Sequence, residues 1–225
     1  MEHVPSYNAS GYGGRGVVYT GGTQQRLMHL LYANLKVLRK RCDLPVEIWR
    51  SSSIDGTLSD TVVELFRQLQ ADIYDLDQVV PKYVRMEIGA HAYLLKHLAI
   101  LSSSFEEIIF IDSDNIPVKN VTYLFDEPHY VRTGFLLWPD FWYLRKGPSE
   151  LRKIFSLPQD EDKMLPDTRT VESGQLVIHK GKAWKALMLS TYIEIHKEFF
   201  EPLVSGEGPL RKYQKSGHNR NPVRT

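Results

Sequence analysis

Two carboxylates one residue apart, Asp112 and Asp114, stand directly after an uninterrupted apolar run, Ile108-Ile109-Phe110-Ile111. Such a run reads as a central strand covered on both faces, and ligands of open α/β sheets lie beyond the carboxyl ends of those strands. Two ionised carboxylates this close repel, and a hard divalent cation that takes oxygens from both removes the repulsion. The pair therefore reads as a metal or phosphate site. The plainer alternative is a solvated turn in which Asp, Ser and Asn satisfy the backbone.

Other groups suit the same kind of ligand. Gly16-Val17-Val18-Tyr19-Thr20 runs into Gly21-Gly22 ahead of a helix capped near Thr23, and small residues there let backbone N–H groups approach a phosphate, although a plain tight turn has the same composition. Trp138-Pro139-Asp140-Phe141-Trp142 places two indoles around a carboxylate; aromatic faces take sugar C–H surfaces and the Asp140 carboxylate takes hydroxyls, with core packing of both tryptophans as the alternative. In Glu172-Ser173-Gly174-Gln175, Glu172 and Gln175 can accept hydrogen bonds from hydroxyls while Gly174 permits close approach; otherwise the block is a capped turn before a strand. His91, His97, His129, His179 and His196 show no metal spacing and read as structural or exposed.

The elements that position these groups alternate in period. Strands are predicted at Gly16–Thr20, Val46–Trp49, Ala71–Tyr74, Ile108–Ile111, Phe135–Trp138 and Leu176–Ile178. Between them, Leu27, Leu30, Leu31, Leu35 and Leu38 form one expected buried stripe of a helix, Leu58 to Leu69 a second helix, and Tyr93, Leu94, His97, Leu98 and Leu101 a face of a third that ends in Ser102-Ser103-Ser104. Trp184, Leu187, Met188 and Thr191 fit a closing helix. This is the form of βαβ units around a largely parallel sheet. No internal repeat or low-complexity linker marks a domain boundary.

Bulk properties exclude more than they select. With 225 residues, 42% hydrophobic and 24% charged, the chain suits one α/β core. Twenty-eight Lys and Arg against 27 Asp and Glu leave no global field for nucleic acid or an anionic membrane. The acid-free stretch with Arg211, Lys212, Lys215, Arg220 and Arg224 reads as a solvated tail. A single cysteine, Cys42, excludes an intrachain disulfide and a cysteine-rich zinc site. No apolar run approaches the roughly 20 residues of a membrane helix, and Asn8-Ala9-Ser10 and Asn120-Val121-Thr122 are N-glycan acceptor triplets only in a secretory context.

A strand ending in Asp-x-Asp also occurs in phosphatases of the haloacid dehalogenase type, where the first Asp is the nucleophile and the second the acid/base. There it lies near the start of the core, whereas here it is mid-chain and Asn115-Ile116-Pro117 follows, so placement argues against that reading. The stretch from Leu95 to Glu107, followed by Ile108 to Pro117, instead resembles the core of the fungal Golgi α-mannosyltransferases (α-1,2 and α-1,3; glycosyltransferase family 71), which extend yeast-type mannans and N-glycans. Gly14-Arg15-Gly16-Val17-Val18-Tyr19-Thr20-Gly21-Gly22, Leu44-Pro45-Val46-Glu47-Ile48-Trp49, Trp138 to Trp142 and Glu172 to Gln175 agree in order, which is more specific than Asp-x-Asp alone.

The resemblance implies a GT-A-type α/β fold with a mostly parallel sheet flanked by helices, GDP-mannose as donor, a divalent cation that is usually manganese, and retention of the anomeric configuration. Asp112, Ser113 and Asp114 match its metal and diphosphate motif, with Asp112 and Asp114 as metal ligands. Tyr19, Thr20 and Gly21 match the strand end near the nucleotide. Lys96 matches a lysine ahead of the motif, whose cation either neutralises phosphate or closes a structural ion pair. Glu172, Gln175 and Asp140 are the candidate catalytic residues. Implied partners are a sugar nucleotide and a mannoside or glycoprotein acceptor, in the Golgi lumen, with membrane association through an anchor absent from this chain. Family members usually continue past the closing helix through an acidic Gly-Asp-type block, so the expectation is one domain over residues 1–204, C-terminally incomplete, and an irregular basic tail over 205–225. The competing expectation is a silent GT-A-like domain that binds a sugar nucleotide or partner without turnover.

Overall fold

The computed structural model describes residues 4–21, 25–90, 93–143 and 169–204. The chain builds β1 (Arg15–Thr20), α1 (Gln25–Leu38), β2 (Val46–Arg50), α2 (Ser52–Asp55), α3 (Asp60–Arg67) and β3 (Ala71–Asp75). It continues through α4 (Leu76–Val79), α5 (Lys82–Ala90), α6 (Leu94–Ser102) and β4 (Glu107–Ile111). A 3-10 turn (Val121–Asp126) precedes α7 (Pro128–Thr133), β5 (Phe135–Tyr143), β6 (Arg169–His179), α8 (Lys180–Ile195) and α9 (Lys197–Val204).

The strands form one six-stranded sheet in the order β3-β2-β1-β4-β6-β5. β1 pairs in parallel with β2 and β4, and β2 with β3, whereas β6 runs antiparallel to β4. Alternation along β1 and β4 sends successive side chains to opposite faces. Val17, Tyr19, Ile109 and Ile111 pack with Leu31, Leu35 and Leu38 of α1. Val18, Ile108 and Phe110 pack with Leu94, Leu95 and Leu98 of α6 and with Ala183 and Leu187 of α8. Burial on both faces is why Ile108–Ile111 carries no polar residue.

Where the pattern was narrow, the sequence reading missed elements. Among its described side chains α5 buries Val84 and Ile88 alone, one turn apart, too thin a stripe to register as periodicity. α3 starts at Asp60 after its N-cap Ser59, whose hydroxyl accepts the Val62 N–H, inside the expected start at Leu58. On α1 the expected stripe is corrected: Leu30 is 40% exposed, while Asn34 is 1% exposed among Leu31, Leu35 and Leu38. Residues advance by about 100° each on a helix, so 31, 34, 35 and 38 share a face that 30 leaves.

By contacts the chain divides into a larger unit, Glu2–Pro139 with Val171–Ile195, and a smaller one containing Asp140–Thr170 and His196–Thr225. Within the larger unit lie the strand ends considered below. Gly22, Thr23, His91, the side chain of Trp142 and the basic tail lie outside the described residues. Among the described residues no helix is long and apolar enough to cross a membrane.

Candidate active site

The strand order contains one reversal that matters. From β1 the chain moves outward through β2 to β3, then returns to place β4 on the other side of β1. Adjacent parallel strands whose connections leave in opposite directions open a crevice at their carboxyl ends, where α/β proteins bind ligands. Thr20 and Gly21 end β1 on one side of this crevice and the Asp112–Asn115 turn follows β4 on the other.

The turn is held from two directions. From β6, the Gly174 carbonyl accepts the Asp112 N–H at 2.8 Å and Asn115 Nδ2 at 3.1 Å; the Asn115 N–H closes on the Asp112 carbonyl at 3.0 Å. From α1, Asn34 Nδ2 donates to the carbonyls of Ser113, at 3.4 Å, and Asn115, and its Oδ1 accepts the Tyr19 hydroxyl at 3.3 Å. Tyr19 is fully buried and reaches the turn through Asn34, its ring facing the core. Gly21 is buried too: a Cβ there would come within 3.1 Å of Arg50 Cβ and 3.4 Å of Met28 Sδ, so close packing accounts for this glycine.

Lys96 of α6 donates to Asp112 Oδ2 at 2.7 Å and to the carbonyl and hydroxyl oxygens of Ser173 at 3.2 and 3.4 Å. Of the two roles open to this lysine, the free protein therefore displays the ion pair. Its side chain is 19% exposed and that of Asp112 24%, so the pair is partly screened and tethers α6 to the turn. The Asp112 carboxyl is nevertheless pushed above the usual carboxylate range: burial raises it most, Lys96 pulls it down, and the charges of Asp114 and Glu172 raise it again. Asp114 itself is exposed.

Asp112, Glu172, Ser173 and Lys96 thus come together, with Asp114 beside them. Glu172 Oε1 accepts the Gly174 N–H at 2.8 Å. A Cβ on Gly174 would lie 2.9 Å from Asn115 Nδ2, 3.0 Å from Glu172 Oε1 and 3.5 Å from Asp112 Oδ2. Both close contacts are ends of side chains, so Gly174→Ala is expected to fold with a loss of about 1–3 kcal/mol while displacing Asn115 and Glu172. Thermal melts check this: a folded variant destabilised within that range is expected, whereas unfolding at ordinary temperature would make Gly174 indispensable to the fold.

Gln175 is placed differently. Its Cα pairs with that of Ile111 across the antiparallel β4–β6 ladder, so the two side chains share the α1 face of the sheet. There Gln175 lines a cavity of about 200 Å³ with Ile109, Ile111, Asn115, Leu124 and Trp138, across the sheet from Lys96. Trp138 packs against the same core, which is the packing alternative for this indole. Asp140 belongs to the smaller unit, where its carboxylate accepts the Phe141 N–H at 2.6 Å and the Thr170 hydroxyl at 3.3 Å.

Among the described residues no group of three or more His, Cys, Asp or Glu could hold a metal by itself. The residues present still fit a hard cation that uses one or two carboxylates and completes its shell with water and phosphate oxygens. Three carboxylates, of Asp112, Asp114 and Glu172, face a single lysine, and a cation would relieve that surplus charge.

The mostly parallel sheet with this switch point and this turn has the GT-A fold. The fold is shared with the WbbM bifunctional glycosyltransferase (TM-score 0.51, 12% identity, covering 84% of this chain and 36% of that one). It is likewise shared with an active-site mutant of LgtC (TM-score 0.52, 13% identity, covering 84% and 65%). Residues 14–169 match the family model Mannosyl_trans3, described as "Mannosyltransferase putative", and the chain belongs to this mannosyltransferase family. It is 27% identical to the α-1,2-mannosyltransferase MNN2 of Saccharomyces cerevisiae, over 92% of this chain and 41% of that protein. The chain thus spans about two fifths of the length of the curated relatives it matches.

Proposed function

We propose that this chain carries the donor site of an enzyme that transfers mannose from GDP-mannose to a mannoside hydroxyl, with a divalent cation and with retention of configuration. The observation that carries the reading is the Asp112–Asp114 turn at the switch point between β1 and β4, opposite Thr20 and Gly21. Membership of the mannosyltransferase family supports the sugar, and the names of the fungal relatives support an α-1,2 linkage. Residence in the Golgi lumen and a single catalytic domain over residues 1–204 are part of the same proposal and rest on the family resemblance.

Asp112 and Asp114 would hold the cation, manganese on the family precedent, which when bound supplies charge stabilisation to the departing diphosphate. The chain's own residues do the rest. Lys96 and the Gly174 carbonyl orient Asp112, and Ser113 carries the turn. Lys96 would be the group that neutralises a phosphate if a bound cation took over its share of Asp112. Glu172, fixed by the Gly174 N–H, faces the same cluster and is the candidate to steady positive charge developing on the sugar. An acceptor hydroxyl attacking on the face that the diphosphate leaves needs no protein nucleophile. Gln175 is proposed to contact a sugar hydroxyl rather than the reacting carbon; a catalytic role for Asp140 is proposed on the family resemblance alone.

Thermal shift tests the donor assignment. Manganese and GDP-mannose together are expected to raise the melting temperature more than the sum of each alone, because the cation bridges turn and diphosphate. Equal stabilisation by a UDP-sugar, or no gain from the pair, would sink it.

A further inference from the structure

We propose that Asn34 is a positioning residue that sets the cation-binding geometry of the Asp112–Asn115 turn, an inference that rests on the donor-site reading above. Asn34 is the polar exception on the buried face of α1, 1% exposed with Leu31 and Leu35 around it. A leucine in its place would suit both helix and core better, since burying an amide costs free energy unless its hydrogen bonds are met. Here they are met, and the donors all point one way. Nδ2 donates to the carbonyls of Ser113 and Asn115, the two residues that bracket Asp114. Oδ1 accepts from Tyr19, a fully buried tyrosine of β1, which fixes the orientation of the amide.

The two clamps on the turn divide the work. β6 holds Asp112 by its N–H, and holds Asn115 by its side chain, through the single carbonyl of Gly174. No bond from β6 reaches the backbone around Asp114, which projects into solvent and has no hydrogen bond of its own to fix it among the described residues. The amide of Asn34 restrains that half. A cation shared by Asp112 and Asp114 needs both carboxylates at a set separation, and partners one layer behind metal ligands commonly govern affinity by 10–100-fold. β1 also gains a physical link to the metal turn: the chain Tyr19 to Asn34 to Ser113 and Asn115 ties the two sides of the crevice together beneath its floor.

The test uses the whole chain, Mn2+ with and without GDP, and the variants Asn34→Leu and Tyr19→Phe. Mn2+ affinity is read by electron paramagnetic resonance, and hydrogen exchange at the Asn115 amide, which bonds the Asp112 carbonyl across the turn, is read in metal-free protein. Asn34→Leu is expected to keep its fold, bind Mn2+ about 10–100-fold more weakly and exchange faster at that amide. Tyr19→Phe is expected to move both readouts the same way by a few-fold, because the amide survives but loses its orienting partner. An Mn2+ affinity within twofold of wild type in folded Asn34→Leu would show a purely structural role and overturn the proposal. If Asn34→Leu does not fold, the same criterion is applied to Tyr19→Phe. If the wild type binds GDP-mannose and Mn2+ not at all, the donor reading fails by itself; unchanged amide exchange in the variants is then what overturns the clamp.

Discussion

Asp112→Asn is expected to abolish cation-dependent donor binding and to lower mannose transfer by about 10²–10³-fold, the usual cost of removing one electrostatic group from a reacting centre. The substitution is nearly isosteric. The Asp112 N–H still reaches the Gly174 carbonyl, an amide oxygen can still accept from Lys96, and Lys96 keeps both oxygens of Ser173. What disappears is the charge, so the fold should survive and the melting temperature of the metal-free protein should stay within a few degrees. Asp114→Ala provides the companion measurement: this carboxylate is exposed, so its loss should leave metal-free stability untouched while removing the response to manganese. Titration of Mn2+ and GDP, followed by assay of GDP release, separates the outcomes. A variant that unfolds at ordinary temperature would make the turn a structural feature, and one that keeps its manganese response would place the cation elsewhere.

Removing the lysine should shift the pH dependence of the same site. In the free protein Lys96 is the main influence holding the Asp112 carboxyl down, against burial and the charges of Asp114 and Glu172. With Lys96→Met only the raising influences remain, so the carboxyl should keep its proton to a higher pH. A carboxyl whose folded pKa lies above its unfolded value contributes stability below the unfolded value and loses it as pH rises through the folded one. Metal-free Lys96→Met is therefore expected to lose stability with rising pH across a wider window, above the ordinary carboxylate range, than the wild type. Cation binding needs the ionised form, so it must displace that proton. Mn2+ affinity should then fall by about tenfold per pH unit below the folded pKa, with the fall setting in at higher pH in the variant. Mn2+ titrations between pH 5 and 8.5 decide it; coincident acid limbs would mean that Asp112 is not the titrating ligand.

The elements that carry the donor side were readable because each depends on a local pattern. Ile108–Ile111 is apolar without interruption, as a strand buried on both faces must be, and its stop at Asp112 marks the carboxyl end. β1, β2 and β3 were equally plain. α5 was not: among its described side chains Val84 and Ile88 alone are buried. The ordered blocks from Gly14 to Gln175 also carried the family, which the match over residues 14–169 bears out.

What a linear sequence could not express is direction through space. Lys96 and Asp112 are 16 positions apart and meet only because α6 packs on the face of β4 that carries Phe110. Glu172 and Gln175 stand three residues apart in one block, yet the pleat of β6 turns Gln175 to the face of Ile111, away from Lys96. Tyr19 ends a strand beside the crevice but alternation points it into the core. Asn34 left a trace, a polar residue among leucines at helical spacing, but nothing near it in sequence named its partners 79 and 81 positions later. Residue type and local period thus determined which segments become strands and which carboxylates end them. The assignment of each side chain to the crevice, the core or the opposite face was decided by parallel crossovers and by the antiparallel return of β6, because facing in a sheet depends on register between segments distant in the chain.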